Sequence, residues 1–492
     1  MKHALLITAF AISASAFGQG TVSISTLQYA AQKQNGTLDL TKNYTFTDAP
    51  LFTPVPYSGP ARTPSSICSC MMPLDSTYML AMAPNDDMYS NIISIPFVFN
   101  FYGVSYNSLY INNNGNISFN SPYSTFTANP FPDATYQMIA PFWGDVDTRD
   151  SLSGGTMGSI GNVYYKITSS AMIVKWEAVG YYNMHGDKLN TFQLIITDGN
   201  DPLLPAGTNV SFCYDDMQWT TGDASGGTNG FGGAPATVGN NMGNGTDYFQ
   251  AGTFDHPGAS FDGPYAAADG IDWLDNQGMY FDASLPGNIP PVIINNNICD
   301  TIDVYTGDTL RTQNLDYAMF SIAATTPEIS QNVNVTITCS EPSALTFTQP
   351  MNTPTYKKFD CTFSAIGLTP GLYYVTIAAT DDGVPAETTT STIVVRTSYD
   401  AAVTTGINET EPNDLVSIYP NPSTGVITVN HKINPASEPV ITLSDVLGKT
   451  VLTNSMNSNM EQIDISSLPQ GIYFATINSK EGKSKTMKIV KK

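Results

Sequence analysis

Asp145-Val146-Asp147-Thr148-Arg149-Asp150 places three carboxylates and one guanidinium within six residues. At a strand end Asp145 and Asp147 project from the same side. Alternating carboxylates are one way to offer oxygens to calcium, which takes six to eight of them. Asp145 and Asp147 are therefore the calcium candidates of this chain. An EF-hand loop beginning at Asp145 would want an oxygen ligand at its fifth position and glycine at its sixth. Arg149 and Asp150 stand there, which excludes that loop. Arg149 also offers a competing reading, an ion pair with one of the two carboxylates.

Other chemistry is sparse. Gly222-Asp223-Ala224-Ser225-Gly226-Gly227 is similar to the nucleophile loop of chymotrypsin-like proteases, but Ala224 is inserted between the acid and the serine. The one histidine upstream in the mature chain is His185, and a serine nucleophile needs a base within hydrogen-bond reach. His185, His256 and His431 share no metal-ligand spacing. Thr220–Thr246 is glycine-rich yet contains no lysine. A phosphate cradle would end in Gly-Lys-Ser/Thr, so the stretch reads as a long surface loop whose glycines take positive φ. No catalytic residue and no cofactor is assigned, and the expectation is a protein that is not an enzyme.

These groups must be held by something, and composition says what. Charged residues make up 13% of the 492 residues, about half the usual share, and Gly, Asn, Thr and Ser fill the gap. That is an all-β, turn-rich, exported composition. The net charge of −22 argues against nucleic acid and anionic lipid, which require a basic face. Met1–Phe17 reads as a signal peptide, with a basic start, a short apolar core and small residues at Ala14-Ser15-Ala16, so residues 1–18 are set apart from the fold. No later stretch is apolar and long enough for a transmembrane segment. The six cysteines (Cys68, Cys70, Cys213, Cys299, Cys339 and Cys361) all follow it. An even count in an exported chain points to disulfides. Cys339 and Cys361, in neighbouring strand-like runs, are the expected pair.

The main domain is predicted over residues 92–285, with residues 19–91 as an irregular, proline-dotted arm packed on it. Ile95, Phe97, Phe99 and Phe101 alternate with smaller or polar residues, the period of a strand with one apolar face. SLYINNNGNISF follows as a hairpin. A two-residue loop at Asn114-Gly115 would set Ile111 opposite Ser118. A three-residue loop, Asn113-Asn114-Gly115, sets Ile111 opposite Ile117 and Leu109 opposite Phe119, with all four apolar residues on one face. A one-residue slip would scatter them, so the second register is expected. It also puts Gly115 where a left-handed residue is required. Further alternating runs at Gln137–Trp143, Val163–Ile167, Met172–Gly180, Thr191–Thr197 and Val210–Tyr214 make a sheet-on-sheet sandwich.

FNFYG, YINNNGNISF, APFWGDVDTR, NTFQLIITDG and PATVGNNMGNGT resemble, in that order, a nidogen-type (NIDO) domain. The resemblance implies an extracellular module of the kind found in matrix and adhesion proteins, with no shared catalytic residues. Residues 286–291 read as a linker, and residues 292–397 as a second sandwich of immunoglobulin-like size. GLYYVTIAATDDGVPAETTTSTIVVR there resembles the last hairpin of cadherin-like and other immunoglobulin-like modules. Asp381-Asp382-Gly383 reads as a turn. A polar linker covers residues 398–413.

YPNPSTG, DVLGKTV, LPQGIYFATI and the basic end KSKTMKIVKK, within residues 414–492, resemble the C-terminal sorting domain of type IX secretion. The resemblance implies a small seven-strand sandwich read by an outer-membrane translocon. The residues carrying it are Tyr419, Pro420, Asn421, Pro422, Gly425, Gly448, Gly471, Tyr473, Lys491 and Lys492. From residue 401 on there are eight Lys and eight acidic residues, so the negative charge lies before this segment. The chain reads as several β-sandwich domains in series, secreted or held at the outer-membrane surface after export through the periplasm. Its expected work is cell-matrix adhesion or other extracellular binding, with a protein or glycan ligand left open and the type IX secretion machinery as partner. The alternative is a secreted hydrolase acting on polysaccharide or protein.

Overall fold

The computed structural model describes residues 20–49, 51–62, 70–153, 156–265, 269–295, 301–306, 317–326, 328, 330–399, 416–431, 439–445, 448–478 and 484–492. The expected signal peptide, Cys68, Cys299 and most of the 398–413 linker lie outside them. The chain divides into two compact units, residues 1–399 and 400–492.

Two sheets build the main domain. One runs, strand by strand, Asp269–Gly270, Tyr248–His256, Ala236–Asn241, Met138–Trp143, Asn116–Ser118, Val104–Asn112 and Ile93–Phe101. Alternation is clean on the last of these, where Ile95, Phe97, Phe99 and Phe101 are buried between exposed neighbours. The hairpin takes the three-residue loop, with Ile111 opposite Ile117 and Asn112 opposite Asn116. Leu109, Ile111, Ile117 and Phe119 share one buried cluster. Facing this sheet are Asn162–Ile167, Ala171–Tyr181, His185–Thr197, Val210–Met217 and Gly278–Phe281. Aromatic side chains dominate the interior: Trp176 stacks on Phe192 at 5.0 Å, and Trp219 meets Phe142 edge-on at 5.3 Å.

This second sheet does not stop where the domain was expected to end. Gly278–Phe281 pairs with Val292–Asn295 through Met279 and Ile294, and Val292–Asn295 pairs in turn with Tyr317–Thr325. Tyr356–Ser364 and Leu345–Asn352, with Met79–Leu80 beside Asn162–Ile167 and Val146–Asp147 beside Ala171–Tyr181, complete an eleven-stranded sheet. Its far end packs on Thr301–Thr306, Thr388–Tyr399, Gly371–Asp381 and Val333–Cys339 to form the second sandwich. The 286–291 stretch is therefore not a free spacer, a correction to the sequence reading. Ile289 is buried and its N–H donates to Glu328. Asn288 donates to Asp381 and to the Pro385 carbonyl. Asp381 also accepts from Gly383 and Glu387, as a turn residue does.

Three other expectations change. Ala236–Asn241, inside the glycine-rich stretch, is a fully buried strand between two neighbours. A β-carbon on Gly239 would stand 2.1 Å from the Phe249 carbonyl, so that glycine serves close packing and not a flexible loop. Cys339 and Cys361 lie on facing sheets as free thiols, while Cys70 bridges Cys213. Only residues 20–49 make a separate arm, and that arm is not irregular; further along, Ala81 and Met82 join the core of the main domain. Strands β1 (Thr21–Ile24) and β2 (Asn43–Phe46) pair in parallel around helix α1 (Thr26–Gln34). Ser25 caps α1 and Gln28 returns the bond, a full capping box. The arm's own core is only Ile24, Tyr29 and Tyr44 with Leu38 and Phe46 beside them. At about 1.5–3 kcal/mol per buried side chain, this cannot offset ordering some thirty residues at about 1.5 kcal/mol each. The arm is folded because it is docked.

Residues 400–492 form sheets of three strands (Val416–Tyr419, Val426–His431, Met460–Asp464) and four (Val440–Ser444, Thr450–Ser455, Gly471–Asn478, Ser484–Lys491). That is the seven-strand sandwich expected.

Candidate cation-binding site at the arm junction

Asp145 follows the Met138–Trp143 strand, and Val146–Asp147 pairs with Gly180–Tyr181. This fixes the Asp145–Arg149 corner in the interior: Asp145, Val146, Asp147 and Thr148 are all buried. The two calcium candidates take different partners. Asp147 receives Arg149 through Nε at 2.8 Å and Nη2 at 2.6 Å, and also accepts the Met184 N–H. Asp145 receives Lys33, from α1, at 2.7 Å. The same ammonium reaches Asp87 at 2.6 Å and Asp86 at 3.1 Å. It also lies 4.0 Å from the Phe126 ring centre and 4.2 Å from that of Tyr182. Arg149 closes the network at 3.3 Å from Asp86.

The hairpin loop braces these acids. Asn114 donates to Asp87 Oδ1 at 2.7 Å, and Asn113 donates to the backbone carbonyls of Asp86 and Val146. Trp176 holds the Asn113 carbonyl at 3.0 Å. The hairpin turn is thus a buried scaffold. Beside the cluster is a cavity of about 260 Å³, lined by Tyr29, Phe46 and Asp48 of the arm and by Asp86, Asp87 and Arg149 of the domain.

Four carboxylates face two cations here, and burial dominates the ionisation of two of them, Asp145 and Asp86. Burial pushes Asp145 up to about 7, although Lys33 opposes the shift. Asp86 is raised well above the usual carboxylate range by burial and then by the Asp87 charge. For Lys33, burial disfavours the charge, but Asp145, Asp86 and Asp87 outweigh it and hold the ammonium protonated. Burial also raises Asp269 to about 8, and Asp275 and Glu328 to about 7. In the unfolded chain these groups titrate near pH 4. Between pH 5 and pH 8 the folded state therefore holds more protons, and stability falls as pH rises. The melting temperature is expected to be about 5 °C lower at pH 8 than at pH 5.5. In a thermal denaturation series, Asp269→Asn should flatten that slope; a steeper or inverted slope would contradict the assignment.

The remaining sequence candidates do not converge. His185 Nε2 meets Asp223 at 3.0 Å, whereas Ser225 Oγ shares its bond with Thr127. His256 pairs with its neighbour Asp255. A second cavity of about 520 Å³ brings Asp150 and Glu177 together with Arg62 and Tyr164. Glu177 is engaged there by Arg62 at 3.1 Å and Lys175 at 3.2 Å. Sequence reasoning missed Lys33, Asp86, Asp87, Asn113 and Asn114. The one local signal was Ser25-x-x-Gln28, a capping box announcing α1.

In the smaller unit Asn421, Lys491 and Lys492 share a seam along the terminal strand, while Gly448 sits at the turn between Val440–Ser444 and Thr450–Ser455. Asn421 donates to the Lys488 carbonyl at 2.6 Å and accepts the Val490 N–H at 2.8 Å. Lys491 Nζ reaches the Thr424 carbonyl at 2.8 Å, and the Lys492 N–H donates to Ser423. Tyr473 is buried with its hydroxyl on Pro469, and Gly448 takes a left-handed turn at φ 81°. Tyr419 stays half exposed, and Gly425 accepts the Ile465 N–H.

The described residues are thus β-sandwich domains, the last closed by a seam along its terminal strand. The chain carries a NIDO-related domain over residues 71–260 and a secretion system C-terminal sorting domain over residues 417–492. The first begins before residue 92 and so takes in Asp86 and Asp87. Alpha-tectorin of Gallus gallus is 37% identical over 179 residues, 32% of this chain and 8% of that protein. Nidogen of Drosophila melanogaster is 29% identical over 166 residues, 30% of this chain and 12% of that protein. The chain thus spans about a tenth of the length of these relatives. Among solved structures, the Ig1-2 module of the Drosophila receptor protein tyrosine phosphatase DLAR covers 41% of this chain at 14% identity, with a TM-score of 0.15. The sorting domain marks export by type IX secretion, and no described helix is long and apolar enough to cross a membrane.

Proposed function

We propose that this protein is a non-catalytic extracellular binder, acting in cell-matrix adhesion or matrix-like attachment through its NIDO-related domain. In this reading residues 1–18 direct it to the periplasm and the C-terminal domain carries it out. The observation that supports it most is the 37% identity to alpha-tectorin over 179 residues. The eleven-stranded sheet adds a rigid scaffold on which loops can present a surface, the usual arrangement for a binding module. The Asp145–Thr148 corner is buried and offers no contact surface, whereas the loops flanking Ala236–Asn241 offer one.

A polysaccharide- or protein-cleaving activity is supported by one feature, the cavity holding Asp150 and Glu177. A general acid needs a carboxyl free to exchange its proton, whereas Glu177 already has two basic partners. Binding is favoured on that ground. The test is retention of cells or matrix material on immobilised residues 20–399, with Glu177→Gln in parallel. Retention by both proteins supports attachment. Failure of both to retain anything, with substrate cleavage lost only in the variant, would replace it with hydrolysis.

A further inference from the structure

We propose that Asp86, Asp87 and Asp145 form a cation site with two alternative occupants, the Lys33 ammonium and a divalent metal ion, so that the metal displaces the N-terminal arm. The ammonium is seated as an ion would be. One oxygen from each of the three carboxylates lies within 4.8 Å of the others, the packing a single hard cation requires. Each oxygen receives Lys33 at 2.6–3.1 Å, and the Lys33 side chain is fully buried.

The site is short of positive charge even with Lys33 in place. Asp86, Asp87, Asp145 and Asp147 face only Lys33 and Arg149, two cations for four carboxyl groups. The unsatisfied atoms point the same way. Asp145 Oδ2, Asn113 Oδ1 and Asn114 Oδ1 are buried and have no hydrogen-bond partner. All three are oxygen acceptors, and all belong to side chains that form or brace the cluster. Unfilled donors would call for an anion; unfilled carboxylate and amide oxygens are the ligands calcium takes. A metal cannot sit beside the ammonium, since like charges in a buried site repel strongly. It must replace it.

Access and consequence are also built in. The 260 Å³ cavity opens onto Asp86 and Asp87 between the arm and the domain, which supplies the entry path a metal site needs. The arm's small core cannot hold it folded alone. Its other ties to the domain are to short stretches of chain: Tyr29 to the Ser124 carbonyl, Asn43 to the Pro122 carbonyl and the Ser124 N–H, the Tyr44 backbone to Ser124 Oγ, and Phe46 stacked on Tyr89. Loss of the Lys33 contact therefore loosens the whole βαβ unit.

The test compares the full chain, Lys33→Met and Lys33→Met/Asp145→Asn by calcium titration in a calorimeter. Methionine keeps the stem's volume and removes the charge. Lys33→Met should bind one calcium at least about tenfold more tightly than the unmodified chain, and the added Asp145→Asn should abolish the gain. Equal affinities in Lys33→Met and the unmodified chain, or a gain that survives Asp145→Asn, overturns the proposal. A second readout needs no variant: acetylation of Lys33, followed by peptide mass spectrometry, with calcium chloride or with sodium chloride of equal ionic strength. Labelling should rise about tenfold in calcium alone. Equal labelling in both salts overturns the proposal, including where Lys33→Met does not fold.

Discussion

Gly115→Ala is expected to destabilise the 1–399 unit by more than about 4 kcal/mol, a loss reserved for backbone strain or collision in a core. Two independent terms add at this position. Gly115 has φ +77°, a left-handed conformation that any β-carbon resists. A β-carbon there would also stand 1.7 Å from the Phe142 carbonyl oxygen and 3.3 Å from the Phe192 ring. Phe142 cannot yield, because its ring packs against Phe192 and Trp219 and its N–H donates to the Gly115 carbonyl. Shifting the loop instead would pull Asn113 and Asn114 away from Asp86 and Asp87. The substitution should therefore loosen the arm as well as the core. Urea unfolding followed by tryptophan fluorescence measures the first effect, and Lys33 labelling reports the second. A loss below about 1 kcal/mol would mean that the loop relaxes freely, contrary to its burial.

That glycine was legible in the sequence because a period of two leaves only one register in which Leu109, Ile111, Ile117 and Phe119 share a face. Whole domains were readable for the same reason: alternation survives wherever one side of a strand meets solvent. Legibility failed where that contrast vanished. Ala236–Asn241 is buried on both faces and built from small or polar residues, so it reads as loop. Val292–Asn295 directly follows a Pro-Gly-Asn stretch that reads as a linker, and only its pairing with Gly278–Phe281 shows the sheet passing through. Helix α1 has just Tyr29 and Lys33 buried, too little for a helical period. The carboxylate site was half visible. Asp145 and Asp147 stood out by spacing, but their partners lie 112 residues away in Lys33 and two residues away in Arg149. Nothing local distinguishes a lysine that fills a buried cluster from one on a solvated helix. The cysteines failed in a related way: Cys339 and Cys361, in neighbouring runs of sequence, sit on opposing sheets as free thiols, and the pair that bridges is separated by 143 residues.

Removal of Asp414–Lys492 is expected to abolish export, with the truncated chain retained in the periplasm and lost from the extracellular fraction. The geometry of the smaller unit says why its two ends act together. The Tyr419-Pro420-Asn421-Pro422 segment cannot extend the Val416–Tyr419 ladder, because proline supplies no N–H. Asn421 substitutes for the missing backbone pairing by bonding both ways to Lys488 and Val490. Ser423 continues the seam to Lys491 and Lys492. The basic terminal strand is thereby held against the start of the domain, and Lys491 is tied down while Lys492 remains exposed. Asn421→Ala leaves one N–H and one carbonyl to find water and should cost the domain about 1 kcal/mol, loosening the last strand first. Export of that variant should fall to an intermediate level, which blotting of cell, periplasmic and medium fractions resolves. Unchanged export of the truncated chain would refute the sorting role. Unchanged export of Asn421→Ala beside loss in the truncated chain would place recognition in the terminal strand itself, apart from the seam that holds it.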